Sequence, residues 1–247
     1  MCPILSRMRC LLVLLATFAI APLDSVMAAD PDATAVYLAA REQAGGGNEP
    51  GRLVDYAYDL LLTLHAGDRE VQIRGSVVVI LPDLVRQELE TPQGPTQLVF
   101  DGGDVWQVLG GKKQALPAEA AALQRAELAR RHVFFGELPP VQLIRYRRED
   151  QVGGRTVDVI EIIDVGGVPL RLYIDRESKD LLKQVYVGDV PGGGMAQVEE
   201  TFSEFVDVDG IRFATRREVV RNGEPGRASV LSGIRINANI RRDIVLQ

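Results

Sequence analysis

The stretch LVFDGGDVWQVLGG, residues 98–111, holds two glycine pairs, two aspartates and the chain's one tryptophan. Its reading decides the fold. As a phosphate-cradling loop or an acidic turn it would mark a catalytic centre; as two short strands reversing at Asp101, Gly102 and Gly103 it is a β-hairpin. Apolar and polar residues alternate on both sides of the turn, and glycine supplies the positive φ that tight hairpin turns require. The hairpin accounts for the stretch without a phosphate, and it places Phe100 and Trp106 at positions able to pair across the turn.

The same period of two extends outward in both directions. In VDYAYDLLLTLH (54–65), Val54, Tyr56, Tyr58, Leu60, Leu62 and Leu64 fall on one face, with Asp55, Asp59 and Thr63 mostly on the other. After a short turn, VQIRGSVVVIL (71–81) repeats the pattern, so the two segments read as a long hairpin ended by Pro82. VRQELET and TQLVF follow, separated by turn sequences. Beyond residue 150, six more alternating segments are joined by short links such as DVDG and NGEPG, which favour antiparallel neighbours because parallel crossovers need a dozen or more residues. The spacing predicts helices over 32–43, broken off by a flexible GGGNEPG turn, and over 117–132, where Pro117 starts the helix and basic residues occupy its last turn.

About eleven strands and two helices predict a mainly β fold: one strongly curved antiparallel sheet, an incomplete barrel, with the helices covering its concave side. Two short helices are expected to leave that side incompletely filled, and the space left would be a natural apolar cavity, with a well-packed interior as the alternative. Its candidate lining is Tyr56, Tyr58, Leu60 and Leu62 from the first strand, Val77 and Val79 from the second, and Phe100 and Trp106 from the opening stretch.

The N-terminus reads as a leader. Arg7 and Arg9 precede the apolar run LLVLLATFAIAPL, and SVMAAD ends it with small residues where a signal peptidase cuts. The expectation is a cleaved signal peptide at 1–28, a single domain at 29–247 and export to a periplasm. Both cysteines, Cys2 and Cys10, fall inside the leader, which removes thiol nucleophiles, disulfides and cysteine-ligated metals from the mature chain. The formal charge is −6 for the whole chain. An acidic chain without a basic block argues against nucleic acid and against electrostatic docking on anionic lipid.

Little in the sequence suggests catalysis, a metal or a cofactor. His65 and His132 are isolated, the latter placed to cap a helix end, and a zinc site needs three or four ligands. Ser76 and Ser232 sit within strands and lack the strained turn of a hydrolase nucleophile. Glu199 and Glu200, adjacent on a strand, point to opposite faces, and Asp207 and Asp209 serve a DVDG turn. The glycine runs at 45–47 and 192–194 lack the lysine and following helix of a nucleotide loop. RREVVR (216–221) and IRR (240–242) read as solvated strand faces, with contact to a lipid phosphate or an acidic partner as the alternative.

The order of these features resembles a known family. YAYDLLLTLHAGDREVQIRGSVVVILPDLVRQELETPQG, then LVFDGGDVWQV, then the helix, and later GRTVDVIEI, LYIDRESKDLLKQVYV, FSEFVDVDGIRFATRREV and IRINANI are similar to the periplasmic lipoprotein carrier and the outer-membrane lipoprotein-sorting proteins, over roughly residues 35–240. The resemblance implies a half-barrel that binds acyl chains or other hydrophobic groups on its helix-covered side. The chain departs from the carrier directly before Pro82, where the carrier has a basic residue linked to lid closure and this chain has Ile80 and Leu81. The expected function is a non-enzymatic envelope protein that binds the acyl or other apolar part of a lipid or lipoprotein and takes part in its trafficking. The alternative is an interaction or stress-sensing module that contacts an envelope membrane protein with the same fold.

Overall fold

Asp32 opens the first helix, α1 (Ala33–Gln43), by accepting a hydrogen bond from the Thr34 amide at 2.9 Å. The helix ends against the sheet. Gly45 has φ +87°, and a Cβ there would lie 2.6 Å from Ile211 Cδ1 and 2.8 Å from the Gly210 carbonyl oxygen, so only glycine permits this approach. The Arg212 amide donates to the Ala44 carbonyl at 3.2 Å. The computed structural model describes residues 31–45, 53–66, 69–136, 139–189 and 194–246. The leader at 1–28 and most of the GGGNEPG turn lie outside the described residues.

The first six strands are β1 (Asp55–Ala66), β2 (Arg69–Ile80), β3 (Leu84–Thr91), β4 (Gly94–Asp101), β5 (Asp104–Leu109) and β6 (Lys112–Ala115). After helix α2 (Ala118–Arg131) come β7 (Arg145–Val152), β8 (Arg155–Ile163), β9 (Pro169–Asp175), β10 (Leu181–Asp189), β11 (Met195–Val208), β12 (Ile211–Arg221) and β13 (Glu224–Ile236), then a short helix α3 (Arg242–Val245). All thirteen strands form one antiparallel sheet in which each run is a meander and β13 pairs with β1. The sheet stays open. Its edges are β6 and β7, which are consecutive along the chain, so α2 and its flanks must travel from one edge to the other. A helix of 14 residues spans about 21 Å of that path.

The expectation of about eleven strands is corrected to thirteen by β6 (KKQA) and β7 (RYRREDQV). Both are edge strands with mostly exposed, charged side chains, and charge on an edge blocks pairing with a second sheet. An edge strand of this kind has no apolar face to cover, so it shows no alternation to detect.

Both longer helices pack on the same sheet face. Tyr37 and Ala40 of α1 join Phe134, Ile160, Leu170, Leu172 and Tyr186 in one buried cluster; Ala121 and Leu128 of α2 join Tyr56, Tyr58, Leu60, Val77, Val79 and Phe100 in another. The Tyr37 hydroxyl donates to the Val133 carbonyl at 2.6 Å, tying α1 to the end of α2. On the opposite face, Val245 of α3 and Ile240 pack against Leu84, Val99 and Trp106. Asp55 anchors this C-terminal segment, accepting from the amides of Ala238 at 2.8 Å and Ile240 at 3.2 Å.

Candidate functional site

Between the sheet and the helices lies a pocket of about 360 Å³. One wall is apolar. Tyr56, Tyr58, Leu60 and Leu62 project from β1 with a period of two, and Leu89, Leu98, Phe213 and Leu231 continue the wall on neighbouring strands. The Tyr56 ring stacks on Tyr58 at 6.0 Å and tilts against Phe213 at 5.6 Å. At Gly75, opposite Leu60 and Leu89, a Cβ would lie 2.0 Å from the Glu88 carbonyl oxygen.

The helical side is polar. His132 closes α2: its Nδ1 donates to the Leu128 carbonyl at 2.9 Å, which leaves Nε2 as the acceptor for the Tyr56 hydroxyl. Burial holds the imidazole down at about 4 and pushes the Tyr56 hydroxyl well above its ordinary value. Arg130 pairs with Asp164 at 2.7 Å and lays its guanidinium 3.9 Å above the Tyr186 ring, fixing α2 to the turn between β8 and β9. Glu127 accepts from Arg131 one turn later at 2.6 Å and also pairs with Arg227 of β13. Its carboxyl is held far below the usual range by the surrounding arginines, against the opposing effect of burial. Across the sheet, Glu200 has Gln184 Nε2 at 2.7 Å and Arg217 Nη2 at 2.6 Å.

The structure brings four of the eight sequence candidates together in the pocket wall: Tyr56, Tyr58, Leu60 and Leu62. Val77, Val79 and Phe100 lie on the same sheet face and are buried in the cluster beside that wall, outside the pocket lining. Trp106 is on the opposite face under α3, with Lys113 Nζ 3.8 Å above its ring. Phe100 faces Val105 across the hairpin, while Trp106 faces Val99. The two residues therefore cannot pair, because facing residues share one side of the sheet and these two lie in opposite phases.

Of the charged end, the sequence points only to Arg217, within RREVVR (216–221), whose alternative reading is contact to a lipid phosphate or an acidic partner; it does not single out Arg131, Arg227, Glu127 or Glu200 for that end. The signal was present in the phase of the strands: Arg217 shares a face with Ile211, Phe213 and Val219, and Arg227 with Ser229 and Leu231, so each arginine occupies an inward position. Glu200 likewise shares the face of Val198 and Phe202, whereas Glu199 meets Lys183 on the other side at 2.9 Å. Among the described residues no cluster of three His, Cys, Asp or Glu side chains is arranged to hold a metal ion.

No family model matches the chain and no curated protein does; solved structures do. A DUF1329 family protein from Desulfovibrio piger superposes with a TM-score of 0.64 at 14% identity, over 87% of this chain and 97% of that one. An outer membrane lipoprotein-sorting protein domain from Vibrio parahaemolyticus gives 0.58 at 11% identity, over 86% and 97%. A LolA superfamily protein from Nitrosomonas europaea gives 0.57 at 15% identity, over 87% and 97%. The chain is thus similar in fold to these three structures, one of them a LolA superfamily protein. Identities this low establish the fold alone.

Proposed function

We propose that the protein is an exported, non-enzymatic component of the cell envelope that holds the acyl or other apolar part of a lipid or lipoprotein. The helices form a roof over the concave side of the sheet, and the chain of the ligand lies beneath it. One observation carries this reading: the side-chain row Tyr56, Tyr58, Leu60 and Leu62, part of the apolar core cluster, also lines the pocket. Burying each ligand methylene against it contributes about 0.8 kcal/mol, so an alkyl chain binds there without specific chemistry. The volume of about 360 Å³ lies toward the lower end of the roughly 300–1,000 Å³ typical of small-ligand sites. That size suits one slender chain better than a bundle of several.

The fold agrees with this reading, since a structural neighbour is a LolA superfamily protein. Ile80 and Leu81 stand where the carrier has its basic residue, so release of cargo uses a different trigger here. The test is organic extraction of protein purified from its native envelope, followed by mass spectrometry. A recurrent amphiphile at near-equal stoichiometry is expected. Protein that is empty in every preparation and fails to bind a fluorescent fatty acid overturns the proposal.

A further inference from the structure

The chain carries a formal charge of −6, yet the pocket is lined by Arg130, Arg131, Lys179, Arg212, Arg217 and Arg227 against only Glu127 and Asp180 among carboxylates. Two of these cations have private partners: Arg130 on Asp164 and Arg212 on Asp180 at 2.6 Å. The remaining guanidiniums at the α2 end, Arg131, Arg217 and Arg227, share two carboxylates, Glu127 and Glu200. That leaves one positive charge uncompensated.

Arg131 and Arg227 share Glu127 while Arg217 pairs with Glu200, so the deficit is spread over the three adjacent arginines, of which Arg217 has a buried donor left over. The Arg217 side chain is nine-tenths buried, at 10% exposure. Its Nη2 is ion-paired with Glu200 at 2.6 Å, while its Nε has no hydrogen-bond partner among the described residues. A buried guanidinium nitrogen without an acceptor is costly, and arginine cannot escape the cost by losing its proton. Burial, reinforced by Arg131 and Arg227, pushes the Arg217 guanidinium below its ordinary value, with Glu200 and Glu127 opposing. A planar donor fork of this kind is matched by an oxyanion.

We propose that this end of the pocket is an oxyanion site: Arg217, with Arg131 and Arg227 beside it, takes the carboxylate or phosphate head of an amphiphile whose chain lies against Tyr58, Leu60 and Leu62. The inference rests on the apolar-ligand reading above and adds the head group to it. Glu127 occupies part of the same cluster and acts as the internal competitor of the ligand head.

The test uses delipidated mature protein loaded with the neutral probe N-phenyl-1-naphthylamine, which dodecanol, dodecanoate and dodecyl phosphate are set to displace. The readout is the ratio of displacing concentrations, dodecanol over anion, which is insensitive to general loss of pocket quality. An anionic head is expected to act at a concentration at least about tenfold lower than the alcohol. Whichever anion has the larger ratio identifies the head as fatty-acid carboxylate or lipid phosphate. Replacing Arg217 alone strands Glu200, so the variant is the double Glu200→Gln, Arg217→Gln, in which the ratio falls to within about twofold. Glu127→Gln moves it the other way, because the arginines lose their internal carboxylate. Equal displacement by alcohol and anions, or a ratio unmoved by both variants, overturns the oxyanion site while leaving the apolar pocket standing. Failure of the probe and the alcohol to bind at all overturns both.

Discussion

His132 is a helix-end residue whose two ring nitrogens are both engaged in the neutral form, one donating to Leu128 and one accepting from Tyr56. Protonation breaks the second contact and charges a buried site. The pKa in the fold, about 4, lies below the ordinary 6.5, so as pH falls the unfolded chain takes up the proton first. The stabilising contribution is complete above about pH 6.5 and is lost progressively down to about pH 4, roughly 3 kcal/mol in all. Urea unfolding at pH 7.5 and 4.5 measures it: His132→Gln is expected to lose less stability over that interval than the wild type, and an equal loss contradicts the assignment. Gly75 is the second residue with a sharp expectation. With a Cβ placed 2.0 Å from the Glu88 carbonyl oxygen, Gly75→Ala forces β2 and β3 apart and is expected to destabilise by about 1–3 kcal/mol, read as a lowered Tm.

Among the elements, α2 lies in the connection between the two sheet edges. One of its holds on the sheet side is the buried Arg130–Asp164 pair, at 5% and 4% side-chain exposure. Arg130→Met leaves the Asp164 carboxylate unpaired and is expected to cost about 3–5 kcal/mol, visible as a loss of thermal stability larger than that of any single exposed-arginine replacement such as Arg148→Met. Similar losses for both variants contradict an anchoring role for the pair.

The elements also divide by how far they were legible. Strands that cover apolar contacts on one side announce themselves by alternation, as β1 and β2 do. The edge strands β6 and β7 do not, because exposed charge serves an edge without any phase. Asp55 looked like a solvent-facing member of β1, yet it is 3% exposed. The reason is α3 and the turn before it, a segment distant in sequence that folds over the outer face and brings two amides to the carboxylate. The same segment covers Trp106, and no local pattern reveals such a lid. For Phe100 and Trp106 the two-residue turn at Gly102 and Gly103 already sets the register, so their opposite faces follow from the hairpin itself.

At the scale of the whole molecule, an open sheet with its two edges joined by a helix leaves space on one face, and the residues around that space separate into an apolar wall and a cationic end. The wall was readable from the β1 alternation. The cationic end was readable only in part: RREVVR carried a lipid-phosphate contact as its alternative, but arginine on a strand is read first as solvated unless its phase is checked against inward neighbours. The central claim is that the space beside Leu62 receives an apolar chain. Leu62→Trp fills it from a position in the wall without adding charge. Titration of N-phenyl-1-naphthylamine into the delipidated wild type and into this variant, each shown to be folded by circular dichroism, tests the claim most directly. The account predicts saturable binding by the wild type and a Kd raised at least about tenfold in the variant; equal affinities for the two proteins, or no binding by the wild type, contradict it.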